Sequence, residues 1–171
     1  MNKIYVSDLI CTNDSYEEII NFFKKNRIKN IEFFIEPYDK EHTEKLDKIL
    51  KNYSLESVSF HGPYRYFKLT VSEEKWKEAL EDFEKAIDIA QKYSGEFLVL
   101  HTNEVLEEKI DKNTIERRIK EIVKKAEEKS LKIAVENVGI RKNMLYNQEE
   151  YVELIKKYKF YSLIDIGHAL L

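Results

Sequence analysis

The chain has 171 residues, 43% hydrophobic and 36% charged, and its 29 basic and 32 acidic residues give a net charge of −3. This composition excludes an intrinsically disordered chain, predicts one domain over residues 1–171, and argues against a nucleic-acid partner, which needs a basic face. The sequence has no run of about 18 apolar residues and no signal-peptide layout at its start, so we expect a cytoplasmic protein without a membrane partner.

Short β-rich runs alternate with longer amphipathic stretches along the whole chain. The first predicted strand covers residues 3–7, and the others cover residues 30–35, 56–60, 97–100, 132–135 and 161–166. Apolar residues at three- and four-residue steps predict helices between them, most clearly Trp76, Leu80, Phe83, Ile87 and Ala90. Asn147, followed three residues later by Glu150, is typical of a capping box that begins the fifth helix.

Strands joined by connections of helical length predict a parallel sheet, either open and doubly wound or a (β/α) barrel. A doubly wound nucleotide-binding sheet needs a glycine-rich turn after the first strand, and the chain has only four glycines, none at that point. Strand parity favours the barrel, because the small residues Ser57, Ser59 and Ala134 share one face and bulky apolar residues occupy the other.

Polar side chains with metal-binding chemistry follow several predicted strands. His61, His101 and Glu136 come directly after the third, fourth and fifth strands, and Asp165 and His168 lie at the end of the sixth. The carboxyl ends of parallel strands meet at one edge, and imidazole with carboxylate suits zinc, manganese or cobalt. The alternative is that each is a strand terminator satisfied by backbone or water.

Two residues with reactive side chains lack such a context. We expect His42, within a charged helix start, to be a solvated surface residue. Cys11 is the only cysteine, so we expect a small apolar filler rather than a disulfide or a structural zinc ligand.

Four segments in order resemble the strand-end motifs of the xylose isomerase-like TIM-barrel superfamily. They are SFHGPY at 59–64, VLH at 99–101, AVEN at 134–137 and LIDIGHA at 163–169. This superfamily joins sugar and sugar-phosphate isomerases and epimerases to endonuclease IV, which cuts DNA at abasic sites. The resemblance covers the whole chain and implies a parallel (β/α) TIM-barrel-like fold of the α/β class.

The resemblance also implies roles for individual residues. Glu136, Asp165 and His168 match metal ligands, and Glu136 matches a catalytic acid/base carboxylate as well. The implied cofactor is a divalent metal, Mn, Zn, Co or Mg. His61 and His101 match histidines that bind metal in endonuclease IV and more often shape the substrate pocket in the sugar enzymes.

Further residues are expected near the same mouth. Asn137 follows the catalytic glutamate, and Tyr64 lies in the longest predicted loop, where an aromatic ring could cover a sugar. Glu32 and Glu36 share one face of the second strand, and Glu36 lies nearer its end. The residues expected to bind the substrate or an additional metal are His61, His101, Glu36, Tyr64 and Asn137.

The chain departs from a complete barrel, because only six of the eight βα units are present. In the family, the last two supply another metal-binding histidine and a second glutamate. Three explanations stay open: a fragment of a longer chain, a shortened protein that pairs with another copy to complete the open edge, and a stable open derivative with altered function.

The resemblance and the incomplete set of βα units leave three functions open. The favoured one is metal-dependent isomerisation or epimerisation of a sugar or sugar phosphate, with Glu136 moving a proton beside a carbonyl. The second is endonuclease IV-like cleavage of a phosphodiester at abasic sites. The third is a catalytically silent binding or scaffold module, favoured by the absent strand-eight glutamate.

Overall fold

The computed structural model describes residues 4–11, 13–62, 69–102, 110–137 and 145–166. Strands and helices alternate along them. The strands are β1 (Val6–Ser7), β2 (Asn30–Phe34), β3 (Ser57–His61), β4 (Phe97–His101), β5 (Lys132–Glu136) and β6 (Tyr161–Leu163). The helices are α1 (Tyr16–Asn26), α2 (Lys40–Asn52), α3 (Trp76–Lys92), α4 (Lys112–Glu128) and α5 (Gln148–Tyr158), and a 3₁₀ turn at Asp8–Cys11 follows β1.

The six strands form one parallel sheet in the order β1-β2-β3-β4-β5-β6. This order confirms the predicted incomplete TIM barrel. Both end strands are shorter than predicted: β1 has two residues and β6 has three. Among the described residues, each end strand has a partner strand on only one side. Because β1 has two residues, its pairing does not reach the carboxyl end of β2.

The two faces of the sheet differ as strand parity predicts. The side chains that point toward the helices are apolar and at most 7% exposed, and they are Ile31, Phe33, Val58, Phe60, Leu98, Leu100, Ile133 and Val135. Burying each stabilises the fold by about 1.5–3 kcal/mol. The other face carries the small residues Ser57, Ser59 and Ala134, and it holds the polar strand ends.

Local signals fix where the helices begin. Ser15 and Asn147 both form capping boxes, with Glu18 and Glu150 as their partners, and the box predicted at Asn147 is therefore confirmed. Each box satisfies backbone N–H groups that the first helical turn leaves without partners. None of the described helices combines the length and the apolar character that crossing a membrane requires.

Candidate metal centre

The carboxyl ends of β3, β4 and β5 bring three metal-binding side chains to one point. His61 pairs with Val99 in the sheet register, and His101 pairs with Glu136. Paired residues of parallel strands project to the same side, so His61, His101 and Glu136 all leave the sheet on its inward face. Hydrogen bonding along three adjacent strands therefore sets their spacing.

The three side chains are in direct contact. Glu136 Oε2 lies 3.0 Å from His101 Nε2 and 3.3 Å from His61 Nε2. The two imidazole rings are 4.5 Å apart and nearly perpendicular, at 83°. One ligand atom from each residue lies within 4.8 Å of the others, and this is the metal-binding group found among the described residues.

Neighbouring groups hold the cluster in place. His61 Nδ1 lies 2.9 Å from the Gly62 carbonyl oxygen, and the Phe34 ring stacks on the His61 ring at 4.3 Å and 10°. The Thr102 hydroxyl donates to the Glu136 carbonyl oxygen at 3.1 Å. The contact of His61 with a carbonyl fixes the ring orientation, as is usual for histidines that bind metals.

The contacts within the cluster favour the ionised forms of Glu136 and His61. Burial raises the pKa of Glu136, but the hydrogen bonds from His101 and His61 outweigh it and hold that pKa at about 2. Burial also opposes a charged His61, yet the contacts with Glu136 and the Gly62 carbonyl raise the pKa of His61 above its ordinary value. Glu136 is therefore a carboxylate at neutral pH, the form that binds a cation.

This donor set fits a divalent metal. Two imidazole nitrogens and one carboxylate oxygen are the ligands of many catalytic zinc sites and also suit manganese or cobalt. Glu136 and His61 are almost fully buried, at 3% and 7% exposed. The cluster thus offers three ligands on rigid strand ends and leaves further coordination positions for other groups.

The other residues predicted for the site lie in different places. Asp165 is not part of the cluster within the described residues. Instead, its backbone N–H donates to the Asn137 side-chain oxygen at 2.6 Å, and the Asn137 amide donates back to the Asp165 carbonyl oxygen at 3.0 Å. Asn137 thus joins the ends of β5 and β6. His168 and Tyr64 lie outside the described residues.

Two more carboxylates lie on or beside neighbouring strands: Glu32, which the sequence placed near the mouth, and Asp8, which it did not single out. Glu32 is on the inward face of β2 beside Ser59, and burial raises its pKa, an effect strengthened by Glu136 and Asp8 and opposed by His61. Asp8 follows β1, and burial raises its pKa to about 6. The alternation of side chains along β2 predicts that Glu32 points inward. The position of Asp8 depends on where β1 ends, which the sequence pattern does not show.

Glu36 lies beyond the end of β2 and lines a different space from the histidine cluster. It borders a cavity of about 340 Å³ together with Asp8 and His42. The expectation that His42 is a solvated surface residue is wrong. Its ring is partly buried, and its Nε2 lies 2.8 Å from the Phe34 carbonyl oxygen, because α2 packs over the end of β2. Cys11 is buried, as expected.

Comparisons with known proteins agree with this fold. The family model described as a xylose isomerase-like TIM barrel matches residues 18–171. Similar solved structures include a D-tagatose 3-epimerase-like protein, with 22% identity and a TM-score of 0.78 over 98% of this chain and 66% of its own. An L-ribulose 3-epimerase has 14% identity and a TM-score of 0.73 over 98% and 62% of the two chains.

A 3-keto-D-glucoside 4-epimerase from E. coli has 13% identity and a TM-score of 0.69 over 96% of this chain and 67% of its own. Identities this low show a shared fold. The chain spans about two thirds or less of the first similar structures, with 66%, 59% and 66% of their lengths covered. No curated protein matches the sequence.

Proposed function

The chain belongs to the xylose isomerase-like TIM barrel family, and from that premise we propose that it is a divalent-metal-dependent isomerase or epimerase acting on a sugar or sugar phosphate. The observation that carries this proposal is the contact of Glu136 with both His61 and His101 at the carboxyl end of the sheet. Parallel barrels assemble their active sites at this end. The similar structures named as epimerases support the substrate class.

In this proposal His61, His101 and Glu136 would hold the metal. When bound, a divalent cation would supply positive charge to stabilise the negative charge that develops when a proton leaves the carbon beside a carbonyl. The buried position of Glu136 strengthens its attraction for a cation because few water molecules screen it. Asp165 and His168 remain proposed as further ligands.

Proton transfer requires a carboxylate in reach of the substrate carbon. Glu136 is the proposed base, and as an ionised carboxylate it can accept a proton. Its hydrogen bonds to two histidines make it a weak base, however, whereas burial raises the pKa of Glu32 on the same inward face. Glu32 is therefore the second carboxylate to test for this step.

The remaining predicted residues are proposed to orient the sugar. Asn137 is fixed by its two hydrogen bonds to the Asp165 backbone and borders the mouth beside Glu136. Tyr64 is proposed to cover the ring of the sugar. Glu36 is proposed to bind a hydroxyl group of a sugar that extends into the neighbouring cavity lined by Asp8 and His42. Hydroxyl groups are recognised by such directional hydrogen bonds.

The test is an epimerisation assay over a panel of ketoses and their phosphates, with added Mn²⁺, Co²⁺, Zn²⁺ or Mg²⁺. We expect turnover that a chelator abolishes. The Glu136→Gln variant should lose both metal affinity and turnover. The Glu32→Gln variant should keep its metal affinity and lose turnover only if Glu32 transfers the proton.

A second candidate is endonuclease IV-like cleavage of DNA at abasic sites. One observation favours it, because both histidines join the glutamate in a single cluster, and the resemblance implies metal-binding histidines at these positions in that enzyme. The net charge of −3 argues against a DNA partner. Incision of an abasic oligonucleotide, with no turnover of any sugar, would establish this candidate instead.

The scaffold hypothesis differs from both enzymes because it needs no metal.

We also propose that a second copy of the chain covers the β6 edge, where Tyr161, Ile164 and Ile166 are 59%, 61% and 72% exposed. Light scattering should then give a mass in solution of twice the chain mass. The Ile166→Lys variant should give the mass of a single chain. A monomer at all concentrations would contradict this assembly.

A further inference from the structure

Among the described residues, the carboxyl end of β2 has a strand partner only on its β3 side. Strand β1 ends at Ser7, which pairs with Glu32, so the register stops two residues before Phe34. Along a parallel strand, successive residues direct their backbone groups to opposite neighbours. Ile35 N–H donates to the His61 carbonyl on the β3 side at 2.9 Å, so the Phe34 backbone groups point toward the missing β1 side.

Two side chains take the place of the absent strand. The Phe34 N–H donates to Asp8 Oδ1 at 3.1 Å, and the Phe34 carbonyl oxygen lies 2.8 Å from His42 Nε2, which donates to it. Asp8 belongs to the 3₁₀ turn after β1, and His42 belongs to the first turn of α2. The Phe34 backbone is thus held on both of its polar groups by two separate elements.

The Phe34 side chain passes this restraint to the metal cluster. Its ring stacks on the His61 ring at a centroid distance of 4.3 Å and an angle of 10°, while the His101 ring lies 4.5 Å from the same histidine ring at 83°. The His61 ring therefore contacts Phe34 face to face and His101 nearly at right angles. A shift of the Phe34 backbone would remove the stacking surface that holds His61 Nε2 toward Glu136.

We propose that Asp8 and His42 are positioning residues that act through Phe34 to fix the orientation of the His61 ring. The effect on metal binding rests on the proposed metal centre, whereas the effect on the ring itself does not. Direct partners that orient a histidine ligand commonly change metal affinity by about 10- to 100-fold when they are removed, so we expect a change at the lower end for residues that act through Phe34.

The test measures the His61 ring directly. Proton NMR of the metal-free protein with labelled histidine resolves the ring protons of its four histidines, and a His61→Ala spectrum assigns them. The stacked Phe34 ring shifts the His61 ring protons upfield. We expect Asp8→Ala and His42→Ala to move these resonances downfield, and Asp8→Asn to leave them in place because the amide oxygen still accepts the Phe34 N–H.

Glu44→Ala is the matched control on α2. Glu44 is exposed, and its side chain forms an ion pair with Lys40 at 3.7 Å, one turn earlier on the same helix. We expect unchanged His61 resonances. Resonances unchanged in both Asp8→Ala and His42→Ala would overturn the proposal, as would equal changes in Glu44→Ala and His42→Ala. If Asp8→Ala does not fold, His42→Ala decides.

A Zn²⁺ titration of the same variants tests the consequence. We expect Asp8→Ala and His42→Ala to bind Zn²⁺ about tenfold more weakly, with affinity restored in Asp8→Asn. Unchanged affinity in variants whose His61 resonances move would overturn the effect on metal binding. If the parent protein binds no Zn²⁺, the proposed function fails, and the NMR comparison still tests the positioning role.

Discussion

The two faces of the sheet have opposite characters although they alternate along the same strands. On β3, Phe60 points toward the helices and is fully buried among apolar neighbours, whereas the next residue, His61, points inward and contacts Glu136. Gly95 shows how closely the helix-facing side is packed, since a Cβ there would lie 2.7 Å from the Phe60 ring. On each strand, the residues that face the helices thus stabilise the fold, and the alternate residues that face inward carry the candidate site.

The largest expected effect is on the helix-facing side. Phe60→Ala leaves a cavity in a closely packed core and should lower the free energy of unfolding by about 3–5 kcal/mol. Urea denaturation monitored by circular dichroism measures this loss. Ser59→Ala, which removes a single hydroxyl from the adjacent inward-facing residue of β3, is the control and should cost far less stability. Equal losses would contradict the division between the two faces.

On the inward face, Glu136→Gln should change metal binding far more than stability. The amide is a weaker ligand than a carboxylate, so we expect Zn²⁺ affinity to fall at least about 100-fold, equivalent to about 2.7 kcal/mol. Calorimetric titration measures it. Glu56→Gln, a glutamate at the opposite end of β3, is the control and should bind Zn²⁺ as the parent does. Equal losses in both variants would contradict a localised site.

A smaller effect is expected from the pH dependence of stability at Asp8. Because burial raises the pKa of Asp8 from 3.8 to about 6, the folded state binds more protons than the unfolded state between these values. The stability that Asp8 contributes is therefore full below pH 3.8 and is lost as the pH rises through 6.

Asp8→Asn removes this titration and keeps the hydrogen bond to Phe34. Relative to the parent, the variant should gain about 1–3 kcal/mol in free energy of unfolding between pH 4 and pH 7. Denaturation at a series of pH values measures the gain. Asp14→Asn, in the same loop, is the control. A constant difference between Asp8→Asn and the parent across this range would contradict the buried position of Asp8.

The sequence predicted the strand order, the two faces and the convergence of His61, His101 and Glu136, because these depend on periodicity and on the shared edge of parallel strands. It did not predict the roles of Asp8 and His42. Those depend on β1 ending at Ser7, which leaves the Phe34 backbone to be satisfied by side chains, and no local pattern shows where a neighbouring strand stops.

If His61, His101 and Glu136 form one metal centre, the metal-free protein should bind a divalent cation through all three side chains. Calorimetric titration with Zn²⁺ and Mn²⁺, repeated on His61→Ala and His101→Ala, measures this binding. We predict one ion per chain, and at least about a 100-fold loss of affinity in each variant, about 2.7 kcal/mol. Absence of binding in the parent, or binding that both variants retain, would contradict a metal centre formed by these three residues.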